Sequence, residues 1–187
     1  MTFAERVTIG GYNCAEVTSA MQKCIRRGLE DDALFWATEL DRSNFGEYVW
    51  KRLRIIASED VGYEDPRIAV EIRALFENWK DQRKKEDTKH APERLFLVDA
   101  VMRLCRAKKS RAVDHALIVF YEGPRAKRPI PDFAMDRHTG RGRGMKRGWR
   151  HFWEEGARLE GSKARPDAYV AQARIIRRDA QDELPLE

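Results

Sequence analysis

The chain has little of what would assign it to a ready class. Its three cysteines, Cys14, Cys24 and Cys105, form no Cys-x-x-Cys pair. That argues against a zinc or disulfide framework and leaves them as small buried hydrophobes of a reducing compartment. The longest unbroken apolar run, Ala116 to Tyr121, is far too short to cross a bilayer. The N-terminal Met1-Thr2-Phe3-Ala4-Glu5 has neither the basic nor the apolar region of a secretory signal, so a cytoplasmic location and no membrane partner are expected. No Gly-x-x-x-x-Gly-Lys-[Ser/Thr] loop is present to cradle nucleotide phosphates. The segment Gly140-Arg141-Gly142-Arg143-Gly144-Met145-Lys146 has glycines and a lysine, but at the wrong spacing and with no hydroxyl residue after the lysine. No comparable run of strict apolar/polar alternation occurs, which leaves sheet without a signal.

What is present is helical periodicity on a charged chain. With 42% hydrophobic and 36% charged residues over 187 positions, the chain reads as one folded domain, or one domain with an appendage, under a charged surface. From Asn13 to Tyr121 a capping residue followed by an apolar stripe recurs. The first helix opens at Asn13, with Glu16 as a capping-box partner, turns Val17, Ala20, Met21 and Cys24 inward, and closes at Gly28. The second opens near Asp31 with Ala33, Trp36, Ala37 and Leu40. The third opens at Asn44 with Phe45, Val49, Leu53 and Ile56. Asp65-Pro66 places a cap before a proline at the first helical position and opens a helix striped by Ile68, Ile72, Leu75, Phe76 and Trp79. Pro92 starts a fifth, whose wide face (Leu97, Val98, Val101, Leu104, Cys105) suits the centre of a core. Ser110 caps a sixth with Val113, Ala116, Leu117 and Phe120 on one side. The expected fold is all-α, a helical bundle or stack of helix pairs over residues 13–121 after a segment 1–12.

At Gly123-Pro124 the character changes. Residues 122–150 are rich in Gly, Pro and Arg without sustained period, which predicts an irregular arm. An aromatic anchor (Trp149, Phe152, Trp153, Leu159) and a terminal helix over roughly Asp167–Ala180 follow within 122–187. Residues 124–151 hold nine basic side chains (Arg125, Lys127, Arg128, Arg137, Arg141, Arg143, Lys146, Arg147, Arg150) against Asp132 and Asp136, a balance of +7, so the remainder carries −2 of the net +5. Cations spaced by glycines can follow a phosphate backbone, and Phe133, Trp149, Phe152 and Trp153 can stack on bases, which makes DNA a candidate partner. The competing reading is an arm that crosses to a neighbouring subunit and meets its acidic body.

Other polar constellations are weaker. Ser58-Glu59-Asp60 ends the third helix; the favoured reading is that the two acids cap the turn toward Pro66 and fix the angle between helices, against a contact point for a partner. Asp136-x-His138, with His151 beyond, offers too few converging groups for a metal, and the surrounding arginines would repel a cation. The simpler reading is a histidine that anchors the arm through hydrogen bonds. His115 beside Asp114 reads as a surface or partly buried histidine, and His90 lies in a charged connector. No Ser-His-Asp or Cys-His arrangement is identifiable, so neither an enzyme nor a cofactor or metal is expected.

Several segments, in order, resemble the C-terminal region of the MgsA/RarA family of AAA+ ATPases, relatives of the Werner-helicase-interacting ATPase. Ser19-Ala20-Met21-Gln22-Lys23-Cys24-Ile25-Arg26 with Asp32-Ala33-Leu34-Phe35-Trp36 is similar to the helix pair after the ATPase lid. The most specific stretch is Arg52-Leu53-Arg54-Ile55-Ile56-Ala57-Ser58-Glu59-Asp60-Val61-Gly62 with Asp65-Pro66. Lys108-Lys109-Ser110-Arg111-Ala112 resembles a later turn, and Ile130-Pro131-Asp132-Phe133-Ala134-Met135-Asp136-Arg137-His138 the family tail. The likeness covers roughly residues 12–150. It implies a bundle akin to the clamp-loader collar, assembly into a homotetramer, and a setting in DNA replication and repair. Without the phosphate loop the ATP-driven part of that function does not carry over. The reading that follows is a non-enzymatic oligomerisation and DNA-associated module. The alternative is an adaptor that docks on a separate AAA+ ATPase or replication protein without touching DNA.

Overall fold

The computed structural model describes residues 5–83, 91–161 and 167–179. The expectations placed on residues 1–4, on His90 in the connector 84–90, and on Ala180 lie outside them. The chain divides into two compact units, Met1–Arg125 and Ala126–Glu187. Among the described residues every regular element is helical; Val7 and Asn13 form an isolated antiparallel bridge. No described helix is long and apolar enough to cross a membrane.

In the first unit, α1 (Cys14–Arg27) begins where Asn13 Oδ1 accepts hydrogen bonds from the backbone N–H groups of Ala15 (2.9 Å) and Glu16 (3.1 Å). It ends at Gly28, whose φ of 71° lies in the left-handed region that glycine adopts without strain. Its buried face is rotated from the expected one: Val17, Met21 and Ile25 enter the core with Thr18 and Gln22, while Ala20 and Cys24 are only half-buried. α2 (Glu30–Leu40) opens one residue before the expected Asp31, where Glu30 is gripped by both Nε (2.7 Å) and Nη2 (2.8 Å) of Arg106. Asn44 does not start a fresh helix. The chain continues from α2 through a wide turn, Asp41–Phe45, in which Asn44 takes φ 66°, and then enters α3 (Gly46–Ile56). Asparagine tolerates this left-handed conformation better than most residues, so the same residue that suggested a cap supplies a corner.

α4 (Ile68–Arg83) follows a turn in which Asp65 Oδ1 accepts from the Arg67 N–H (3.2 Å). It packs along α5 (Glu93–Arg106) and brings Phe76 and Trp79 against Trp50 of α3, with ring centroids 5.6 and 5.9 Å away. Such aromatic contacts add to the apolar area that the three rings bury. Lys109 closes α5: its ammonium donates to the carbonyls of Leu104 (2.6 Å), Cys105 (2.9 Å) and Ala107 (2.7 Å). α6 (Ala112–Leu117) runs into a wide turn, Ile118–Glu122. Here the expected core face, Val113, Ala116, Leu117 and Phe120, is exposed, as are Ile118, Val119 and Tyr121, the last at 83%. Periodicity finds an apolar face but does not say whether the same chain covers it.

The acids that close α3 tie this unit together. Asp60, fully buried, lies in the turn Ala57–Val61. Its carboxylate accepts from Arg26 Nε (2.6 Å) and Gln22 Nε2 (3.1 Å) of α1, with the Arg111 guanidinium 3.9 Å away. Its backbone carbonyl accepts from the Ser110 N–H at 2.9 Å. Glu59, at the rim, accepts from the same Gln22 (2.9 Å) and Arg26 (3.2 Å), and Arg52 bonds the Gln22 amide oxygen. Asp60 holds the Arg26 guanidinium even further above its ordinary range. Polar Gln22 occupies a buried stripe because it faces these acids. Replacing one partner of a buried ionic network leaves the others desolvated and uncompensated, at a cost of about 3–5 kcal/mol. Asp60→Ala is therefore expected to lower the urea-unfolding free energy by that amount, and Glu59→Ala by clearly less. Equal losses contradict the assignment.

Candidate nucleic-acid interface

The second unit starts from a hub at Asp136. One carboxylate oxygen accepts from the His138 backbone N–H and the other pairs with His138 Nδ1, each at 2.9 Å. The hydrogen bonds to His138 hold the Asp136 carboxyl below its usual range. The Asp136 carbonyl accepts from the N–H (3.1 Å) and hydroxyl (3.0 Å) of Thr139, and the Thr139 hydroxyl in turn accepts from Gly142 N–H at 3.0 Å. Thr139 thereby caps α7 (Gly140–Gly144), so the Gly-Arg-Gly-Arg-Gly stretch is a helical turn and not the irregular chain that its composition suggests. A Cβ on Gly142 would lie 1.7 Å from the Asp136 carbonyl oxygen, so only glycine permits this approach.

An aromatic group packs beside the hub. α8 (Trp149–His151) continues through a wide turn, Phe152–Gly156. The His138 ring meets Trp149 (5.7 Å) and Phe152 (5.0 Å) edge-on, and Trp149 and Trp153 lie nearly parallel at 6.2 Å. α9 (Val170–Ile176), shorter than expected, follows later in the chain. The Trp153 indole N–H donates to the Arg177 carbonyl (2.9 Å), and Asp179 accepts from the Arg150 N–H (3.2 Å). Thr139 and Asp179 carry no weight in the sequence reading. Thr139 follows no apolar stripe, and Asp179 acts on a residue 29 positions away.

The nine basic residues separate by environment. Arg147 has both terminal nitrogens taken, Nη2 by the Asp132 carboxylate (2.7 and 2.8 Å) and Nη1 by the carbonyls of Asp132 (2.8 Å) and Met135 (2.9 Å). Arg137 lies 3.7 Å over the Trp149 ring, and Arg150 pairs with Glu154 at 3.2 Å. Arg143 donates to the carbonyls of Arg137 (3.4 Å) and His138 (3.2 Å) and has no ion pair among the described residues. Lys127, Arg141 and Lys146 are exposed and have no ion pair among the described residues. Arg128 is also exposed, as is Arg125 at the end of the first unit. Lys146 holds φ 55°, an uncommon conformation for lysine, directly after α7. The arrangement is a small scaffold of arginines locked by acids and rings, with other cations left facing water, which suits contact with a polyanion.

The remaining singled-out residues are structural in placement. Ser58 is exposed, Glu59 and Asp60 bind α1, and Asp65 and Pro66 lie in the turn before α4, two residues short of the helix start they were expected to form. Among the described residues, no group of three or more His, Cys, Asp or Glu side chains converges as a metal would need.

No protein-family model matches the chain. Over 124 residues, 66% of its length, it is 31% identical to replication-associated recombination protein A of Haemophilus influenzae, of which the matched stretch covers 26%. The chain thus spans about a quarter of the length of the curated relative it matches.

Because backbone, not a movable side chain, would meet a Cβ at position 142, Gly142→Ala must open α7. Its cost is expected at or above the ~1–3 kcal/mol of ordinary overpacking. Limited proteolysis should then cut within residues 126–161 while the first unit keeps its thermal transition. An unchanged digestion pattern contradicts the close approach.

Proposed function

We propose that the chain is a non-enzymatic, self-associating, DNA-binding module that works in DNA replication or repair. In this reading it corresponds to the collar-type C-terminal region of the MgsA/RarA family without the ATPase. The similarity to replication-associated recombination protein A carries the reading. The cations of the second unit support contact with DNA through phosphates, with little sequence preference, because backbone contacts carry no base information.

Each neutralised phosphate releases condensed counterions, so log affinity falls with log salt by roughly 0.7–0.9 per contact. If about five cations engage, the slope is near −4, and raising salt from about 50 to 200 mM weakens binding a few hundred-fold. Replacing Lys127, Arg141, Arg143 and Lys146 by alanine is expected to bring the slope to about −1 without loss of helicity. A parent-like slope in that variant removes the second unit as the binding surface; no binding by the parent at low salt removes the DNA reading altogether.

Self-association, favoured as a tetramer, is supported by the uncovered apolar face Leu117–Tyr121, since contiguous exposed apolar surface marks interfaces. The same face suits the second reading, an adaptor docked on a separate AAA+ ATPase or replication protein. Light scattering after size exclusion separates them. Self-association predicts a mass that is a multiple of 21.8 kDa and that falls when Leu117 and Phe120 become serine. A constant 21.8 kDa across a tenfold dilution series assigns the face to another protein.

A further inference from the structure

We propose that the second unit contains a stacking pocket for one unpaired base of a single-stranded nucleic acid, formed between the Trp149–Trp153 pair, Arg174 of α9 and the residues just after that helix. The proposal rests on the nucleic-acid reading above and gives it a strand preference. The cavity has a volume of about 220 Å³ and is lined by Trp149, Trp153, Arg150, Arg174, Arg177 and Arg178, with Glu154 as the acid at its rim. Whole small-molecule sites run to roughly 300–1,000 Å³, so this one suits a single ring whose sugar and phosphate stay outside.

Three features give it that chemistry. Trp153 is fixed by its N–H bond to the Arg177 carbonyl, so its ring is held in place before any ligand arrives. Arg137 lies over the Trp149 ring at 3.7 Å and Arg177 at 5.1 Å, so guanidinium groups already stack on that ring and hold positive charge next to Trp153, the ring assigned to the base. Glu154, the acid of the lining, is paired with Arg150 at 3.2 Å, whereas Arg174 and Arg177 have no ion pair among the described residues, so the mouth is positive. Arg174, exposed on α9, can reach a phosphate on the strand leaving the pocket. A paired base cannot enter, because its faces are covered by its neighbours in the duplex.

The test uses the full chain and an oligothymidylate carrying 5-iodouracil, beside a duplex of equal length. Ultraviolet cross-linking and mass spectrometry are expected to place the adduct on Trp149 or Trp153. At 200 mM salt the single strand should bind about tenfold more tightly than the duplex, given the usual size of one base–aromatic stack. Trp153→Ala should remove that preference. Arg174→Glu, an exposed change that leaves the rings alone, should weaken the single strand about tenfold and the duplex hardly at all. Equal affinity for both strands forms with no tryptophan adduct overturns the pocket while leaving phosphate binding intact. Absence of any nucleic-acid binding at low salt removes both readings. Displacement of the oligonucleotide by polyglutamate at equal charge concentration also overturns the pocket, since it then accepts any polyanion.

Discussion

A fully buried carboxylate with no cation would not survive folding, and Asp60 is the point on which the first unit turns. Taking an ionised group out of water costs several kcal/mol, which is recovered only where geometry supplies charge and hydrogen bonds together. Arg26 and Gln22 come from α1, Arg111 from the approach to α6, and the acid itself from the end of α3. One side chain therefore sets three distances at once. The apolar contacts of Trp50, Phe76 and Trp79 favour collapse of the same helices, but such contacts tolerate sliding. A carboxylate facing a guanidinium at 2.6 Å does not, so the core contributes the driving force and Asp60 the registry.

The second unit is held in a different way. Among its described residues Met135 and Gly142 are the buried ones, and in place of a core it uses the Asp136–His138–Thr139 hub, the Arg147–Asp132 pair and rings stacked on one another and on Arg137. Interactions of this kind are directional and partly exposed, so ions in solution screen them far more than they weaken apolar packing. The same chemistry that holds the fold also divides its arginines into structural and available ones. Net charge alone overstates how many cations a polyanion can reach.

Much of the first unit was legible in the sequence because a helix that buries one face repeats apolar residues at its own period. The cap at Asn13, the closure at Gly28 and the core positions of α3, α4 and α5 follow from that period and from local hydrogen bonding, whereas Asp65-Pro66 forms a turn and α4 starts only at Ile68. Asn44 was ambiguous because a cap and a left-handed corner favour the same residue. The rotation of α1 was hidden because Gln22 reads as solvent-facing until Glu59 and Asp60, nearly forty positions on, are placed against it. In the second unit composition misleads: glycines and arginines suggest open chain, whereas a threonine cap and one close backbone approach wind them into a turn. The reach of Asp179 to Arg150 leaves no local pattern at all.

The uncovered segment that follows α6 has a consequence for the life of the chain before it folds. Ala116-Leu117-Ile118-Val119-Phe120-Tyr121 is six residues long, uncharged, free of proline and rich in β-branched and aromatic side chains. Once folded, its backbone groups are largely occupied by helical bonds. While the polypeptide is still emerging they are not, and such a segment readily stacks into intermolecular cross-β structure. Asp114 stands before it, and Glu122, Gly123 and Pro124 stand directly after it. Charge and proline at those flanks are the means by which sequences interrupt strand stacking. Glu122 and Pro124, shortly before the first unit ends at Arg125, are of that interrupting kind.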